Sequence, residues 1–151
     1  MDASYIYEYV LSRIAEDLSP YGFKRSGKGL LFYRYLVDRR IACGISMQKS
    51  LNNSPESHSF TFNTACIALW ELCDYYGEKL TLAPLKLALG GLHGGVRIGH
   101  LCRGHDFWWE VNDEILRNVS IEEYYDQFLH ADIVKCAQYL NEQAEKKARG
   151  L

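Results

Sequence analysis

Apolar residues recur with two different periods along this chain, and each period predicts a different kind of element. Ile6, Val10, Ile14 and Leu18 are spaced four positions apart. That spacing places an apolar stripe along one face of a helix, where it can pack against a core. The sequence therefore predicts an N-terminal helix over residues 4–18.

After this helix the pattern changes to the alternation of β-strands. Residues 30–37 are rich in aromatic and branched side chains, and residues 41–48 and 59–69 alternate apolar with small or polar positions. A period of two is typical of strands with one buried face. Two shorter strands are predicted over residues 96–101 and 107–111. Because short links join neighbouring strands, we expect an antiparallel sheet of about five strands.

The C-terminal part of the chain returns to helical spacing. Ser120 and Glu123 stand three positions apart, as in a capping box, and Asp132 is suited to cap a last helix. Strands that cluster between helices indicate an α+β fold rather than alternating βαβ units. We expect a single domain over residues 1–151, with the N-terminal helix and two C-terminal helices packed on one face of the sheet.

Charge and hydropathy narrow the classes of partner. The chain has 17 basic and 19 acidic residues and a net charge of −2, whereas gripping a nucleic-acid backbone needs a clustered positive field. We therefore do not expect nucleic acid among its partners. No stretch approaches the roughly 18–20 apolar residues that span a bilayer, so no membrane partner is expected either. Five cysteines without a CxxC pair or a secretion signal favour reduced thiols and a cytoplasmic protein.

One short stretch carries the residue types of a metal site. His100, Cys102 and His105 lie within six positions, and His93 stands just upstream. Zinc prefers nitrogen and sulfur ligands of these kinds, but the spacing matches no known finger or protease motif. The alternative, which we favour, is a polar turn with one buried cysteine. We therefore predict no cofactor and keep these four residues as the candidates if a metal binds.

An aromatic and charged patch surrounds the next predicted strand. Trp108 and Trp109 are adjacent, so on a strand they point to opposite faces. One ring must enter the core, and the other must lie under a helix, in a groove or in water, near Arg97 and Asp106. An available tryptophan beside an arginine resembles a binding hot spot or a ligand platform. The alternative is a cross-strand ion pair between Arg97 and Asp106 with no binding role.

Six segments of the chain, in this order, carry a resemblance to one protein family. They are residues 21–27 (YGFKRSG), 32–34 (FYR), 48–50 (QKS), 60–63 (FTFN), 97–101 (RIGHL) and 106–109 (DFWW). Together they resemble the bacterial domain-of-unknown-function family numbered 4304. The family brings no established activity, substrate or cofactor, and the resemblance implies a fold and a bacterial, intracellular setting.

The resemblance also implies that certain polar and aromatic residues recur as motif members. They are Arg34, Gln48, Ser50, Asn63, Arg97, Asp106 and Trp109. If strand alternation gathers these side chains on one face of the sheet, they form a polar concave site. With Trp108, they are the candidate binding residues.

Two classes of function follow from these observations. The leading hypothesis is a non-catalytic module that binds a protein partner through the exposed sheet face and its loops, as immunity-type or modulatory proteins do. Eleven tyrosines and three tryptophans supply aromatic contact surface for it. The alternative is a small hydrolase or transferase, with or without a metal, around Arg34, Arg97, Asp106 and His100. An exposed aromatic patch would also allow a homodimer.

Overall fold

A computed structural model of the chain describes residues 2–72, 76–91 and 95–150. Within these ranges the chain forms a six-stranded sheet in which every pairing is antiparallel. The strands are β1 (Lys24–Arg25), β2 (Leu31–Leu36), β3 (Ile41–Lys49), β4 (Ser57–Ala68), β5 (Val96–Arg97) and β6 (Trp109–Asn112). The helices are α1 (Ala3–Leu18), α2 (Leu82–Leu89), α3 (Ile98–Cys102), α4 (Asp113–Asn118), α5 (Ile121–Phe128) and α6 (His130–Arg149). The α+β class expected from the sequence is confirmed.

Strand β4 is the centre of the sheet because it pairs on both edges. On one edge, every residue of β3 pairs with it. On the other edge, β5 pairs with Asn63 and Thr64, and β6 pairs with residues 57–60. Two short strands therefore share the edge that one long strand could have occupied.

The larger hydrophobic core lies between one face of the sheet and a layer formed by α1, α5 and α6. Alternate strand residues such as Ile45, Phe60 and Phe62 face this layer and are fully buried. The apolar stripe of α1 points inward as well, with Val10 and Ile14 inaccessible to solvent. The N-terminal helix and the two long C-terminal helices thus pack on one face of the sheet, as the sequence predicted.

Helix α2 packs on the opposite face of the sheet and forms a smaller core there. Its residues Leu85 and Ala88 are buried together with Ala65 and Ile67 of β4. Gly44 of β3 permits this close approach, because a Cβ at that position would lie 3.1 Å from the Leu85 side chain. The same face carries polar residues farther along β3 and β4, and these border open hollows instead.

The predicted strand over residues 96–101 is wrong beyond its first two positions. Strand β5 ends at Arg97, and α3 begins at Ile98. A longer β5 would run along β4 toward Phe60, but that part of the edge already pairs with Trp109 of β6. The chain therefore leaves the sheet after two strand residues and turns into a helix.

Both predicted C-terminal helices are present, and only the start of the last one differs from the sequence prediction. Ser120 caps α5, since its hydroxyl accepts a hydrogen bond from the Glu123 amide at 3.1 Å. The last helix begins at His130, so Asp132 lies in its first turn rather than at its cap.

Within the described ranges, none of the helices has the length and apolar character required to cross a bilayer.

Replacement of Gly99 by alanine is expected to destabilise the fold by about 1–3 kcal/mol, the usual cost of overpacking. A Cβ at this position would lie 2.4 Å from the carbonyl oxygen of His105 and 2.5 Å from the amide nitrogen of Phe107. Neither is a side-chain atom that could rotate away. Urea unfolding measures the change, and Gly90→Ala is the matched control because its nearest neighbour is 3.4 Å away. Equal stabilities for the two variants would contradict the packing around Gly99.

Candidate functional site

A row of register partners crosses the face of the sheet that carries α2. Leu31, Ser46, Asn63 and Arg97 stand opposite one another on β2, β3, β4 and β5. Paired residues of antiparallel strands project to the same face, so these four side chains share one surface. Gln48 joins them from β3, and its Oε1 accepts a hydrogen bond from Asn63 Nδ2 at 2.8 Å. We call Ser46, Gln48, Asn63 and Arg97 the polar sheet face.

Two hollows meet over the polar sheet face. One, of about 550 Å³, is bordered by Ser46, Asn63 and Lys86, and the other, of about 370 Å³, by Gln48, Asn63 and Arg97. Both reach Leu89 at the end of α2. Among the described residues that line them, two carry a positive charge and none carries a carboxylate. The hollows therefore favour an anionic group.

Arg97 connects the polar sheet face to the aromatic patch. Its Nη1 donates to Asp106 Oδ2 at 2.7 Å, and its guanidinium carbon lies 5.1 Å from the centre of the Trp108 ring. Partial desolvation acts to raise the pKa of Asp106, but hydrogen bonds from Arg97, from Trp108 and from the Phe107 amide outweigh it and lower that pKa. Asp106 is therefore a carboxylate at neutral pH, and its hydrogen bonds hold the Arg97 and Trp108 side chains in place.

A groove of about 620 Å³, lined in part by Trp108, lies between β6, α4 and α5. Phe128 at its rim is 48% exposed, whereas Trp109 beneath is only 2% exposed. The adjacent tryptophans thus divide as predicted, one into the core and one toward the surface. Six apolar and aromatic residues shape this surface, which we call the Trp108 groove: Phe107, Trp108, Ile115, Val119, Tyr124 and Phe128.

Three of the candidate binding residues lie elsewhere. Arg34 is on the helix side of the sheet, where its Nη1 donates to Asn141 Oδ1 at 2.7 Å. Trp109 is a core residue whose Nε1 donates to a backbone carbonyl of α5. Ser50 follows the end of β3, and its hydroxyl accepts a backbone N–H of the next loop. The expectation of one shared sheet face is therefore wrong for these three, and it holds for Gln48, Asn63 and Arg97.

The metal candidates do not form a common ligand set in the part of the chain that the structure describes. His100 is exposed on α3, and His105 Nδ1 lies 2.8 Å from the backbone carbonyl of Asp106. Burial raises the pKa of the Cys102 thiol to about 11, which disfavours the thiolate that a metal needs. His93 lies outside the described residues. Among those that are described, no three His, Cys, Asp or Glu side chains are grouped to hold a metal ion.

Several residues of these surfaces were not singled out by the sequence, and Lys86 and Phe128 show why. Lys86 lies on α2, a short and largely apolar segment without a clear period. Phe128 stands at the end of α5 with the spacing of a buried position, but its ring is half exposed at the rim of the groove. Both depend on how a short helix docks on the sheet, which has no local sequence signal.

The fold and these surfaces define a small α+β domain whose sheet has one fully covered face and one partly covered face. The sequence profile of the family described as "Domain of unknown function (DUF4304)" matches residues 14–139. The chain therefore belongs to this family, as its ordered motifs indicated. No curated protein and no solved structure matches the chain significantly.

Replacing Arg97 with methionine is expected to raise the pKa of Asp106, because the change removes a hydrogen bond and a positive charge that lower it. Carboxyl carbon shifts followed by NMR across a pH titration should show the Asp106 midpoint at higher pH than in the unmodified chain. Glu8, whose pKa is lowered by a hydrogen bond from Arg25, is the internal control and should not move. An unchanged Asp106 midpoint would mean that the pair does not persist in solution.

Proposed function

We propose that this chain is a non-catalytic binding module that recognises an acidic segment of a protein partner across the polar sheet face and the Trp108 groove. The position of Arg97 carries the proposal. Its side chain borders the hollow beside Gln48 and Asn63, and its guanidinium also stacks near the Trp108 ring. One residue thus joins a cationic hollow to an aromatic groove.

The charges around the hollows favour a partner that carries carboxylates. Lys86 and Arg97 border the hollows, and Asp106 accepts from only one nitrogen of the Arg97 guanidinium. The remaining N–H groups of Arg97 are suited to a second carboxylate, and such charge-assisted hydrogen bonds are about twice as strong as neutral ones. Gln48 and Asn63 add amide groups that fix the orientation of a bound chain.

The Trp108 groove supplies the apolar part of the same surface. Tryptophan, tyrosine and arginine are the residue types that dominate binding energy at protein interfaces, and Trp108, Tyr124 and Arg103 all line the groove. A partner side chain that fills it would displace water from aromatic surface. The expected ligand is therefore a segment with an apolar anchor beside acidic residues.

The more specific biological role of this binding module rests on analogy of fold alone. An immunity-type or modulatory role in a bacterial cytoplasm would suit a small domain that presents one such surface. The small hydrolase or transferase draws less support, because Arg34 faces the helices while Arg97 and Asp106 lie at the other face. The lowered pKa of Asp106 also makes it a poor general acid at neutral pH.

Two substitutions are expected to weaken partner binding by different routes. Trp108→Ala should cost about 2 kcal/mol of binding free energy, or roughly thirtyfold in Kd, by removing an aromatic anchor. Arg97→Glu should weaken binding at least about tenfold and reduce its salt dependence, by reversing the charge that faces the acidic segment. The partner is captured on the immobilised chain from a lysate of its own organism, purified, and titrated by calorimetry.

Arg149→Glu is the matched control, since it makes the same charge change at an exposed end of α6, in the helix layer. It should bind as tightly as the unmodified chain. A partner that binds all three variants equally would place the interface elsewhere. Recovery of a second copy of the chain alone, with the mass of a dimer in sedimentation, would instead favour a homodimer through this surface.

A further inference from the structure

Two cysteines lie side by side on the helix face of the sheet, away from the proposed binding surface. Cys43 on β3 and Cys66 on β4 are register partners, and their sulfur atoms are 3.5 Å apart. The Cys43 sulfur is also 3.5 Å from the carbonyl oxygen of Leu140 on α6. The two thiols therefore form a dithiol enclosed between the sheet and the last helix.

The strand pairing brings these cysteines within the range of a disulfide bond. Directly opposed residues of antiparallel strands have Cα atoms about 4.5 or 5.5 Å apart, depending on the kind of pair. Disulfides span Cα separations of about 4.4–6.8 Å. Closing the gap from 3.5 Å between Cys43 and Cys66 to a bond of about 2.05 Å requires side-chain rotation and a small shift, with no change of register.

Two cations flank the dithiol. Arg34 is the register partner of Cys43 on β2, so it extends the row of the two cysteines on the same face. On the other side, Lys147 of α6 donates from Nζ to the Cys66 carbonyl oxygen at 2.9 Å. A positive environment favours the thiolate, which is the reactive form of cysteine.

The two thiols differ in a way that assigns their order of reaction. Cys43 is fully buried, whereas Cys66 is partly exposed. A hydrogen bond from Cys43 lowers the pKa of Cys66. The Lys147 charge adds to that effect, against the opposing desolvation and the charge of Glu71, the ion-pair partner of Lys147. The same hydrogen bond, together with burial, raises the pKa of Cys43. Cys66 is thus the more accessible of the two thiols and the one that ionises first, and Cys43 lies behind it.

We propose that Cys66 and Cys43 form a peroxide-reactive site in which Cys66 is oxidised first and Cys43 resolves it as an intramolecular disulfide. The Cys66 thiolate attacks hydrogen peroxide, the O–O bond breaks, and Cys66 becomes a sulfenic acid while hydroxide leaves. The Cys43 sulfur then attacks the Cys66 sulfur. An S–S bond forms, the S–O bond breaks, and water leaves with the Cys43 proton. Together the two thiols lose two electrons and two protons, and the peroxide is reduced to water.

The test uses the full chain, fully reduced and then exposed to hydrogen peroxide. Intact-mass spectrometry should show a loss of about 2 Da, the mass of two hydrogen atoms, and thiol-specific reductants should reverse it. Peptide mapping without reduction should join Cys43 to Cys66. This measurement needs no variant, so it decides the question even if a substitution impairs folding. An unchanged mass, or a bond from Cys66 to Cys73 or between two chains, would overturn the proposal.

Variants then separate the two roles. Cys43→Ser should let the Cys66 sulfenic acid accumulate and be trapped by dimedone, whereas Cys66→Ser should give neither adduct nor disulfide. Cys102→Ser is the matched control, because burial raises the pKa of that thiol to about 11, and it should form the disulfide normally. Formation of a dimedone adduct on Cys43 in the Cys66→Ser chain at the original rate would contradict the assigned order.

Lys147→Met tests the contribution of the cation. If the substitution raises the pKa of Cys66, oxidation at neutral pH should slow by about threefold for each pKa unit, because loss of thiolate is partly offset by a rise in nucleophilicity. The pH–rate profile should move to higher pH by the same change. Lys146→Met, on the exposed side of the same helix turn, is the control and should leave the profile unmoved. An unmoved profile in Lys147→Met would remove Lys147 from the site.

Discussion

Strand β4 divides one of its edges between β5 and β6, and the positions around Arg97 follow from that division. Since β6 occupies the edge at Phe60, β5 stops at Arg97 and the chain turns into α3. The chain must then return to the same edge to begin β6. That return places Asp106 against Arg97, and it anchors the Phe107 carbonyl on the Thr61 hydroxyl at 2.7 Å. The ion pair and the partly exposed Trp108 thus depend on backbone hydrogen bonds of the central strand.

The two faces of the sheet carry different chemistry because they are covered to different extents. The helix layer closes over one face, where it buries Cys43 and leaves Cys66 partly exposed beside two cations. The other face receives only α2, so its polar half borders open hollows. A protein partner would meet the polar sheet face and, beside β6, the Trp108 groove. A small oxidant could reach the dithiol only through the partly exposed Cys66. The two proposals therefore concern separate surfaces and can fail independently.

The sequence predicted the parts of the fold that depend on local periodicity. Alternation located β3 and β4, and fourfold spacing located α1, because burial of one face imposes those periods on neighbouring residues. Aromatic and branched residues located β2. Local pattern could not locate the end of β5, which is decided by competition with β6 for one edge. The sequence also placed Arg34 on the same sheet face as Arg97. Alternation assigns the faces of residues within one strand, but it does not relate the faces of different strands. Register is a tertiary property, and that is where the site prediction failed.

Gly44 has an influence on the candidate binding surface that its position does not suggest. It borders neither hollow, but Leu85 rests directly above it, and so the height of α2 over the sheet depends on the missing side chain. Leu89 and Lys86 on that helix form one wall of the hollows. Relatives that carry a larger residue at this position would lift the helix and deepen the space beneath its end. Such chains would accept ligands of a different size, although every polar contact residue would be unchanged.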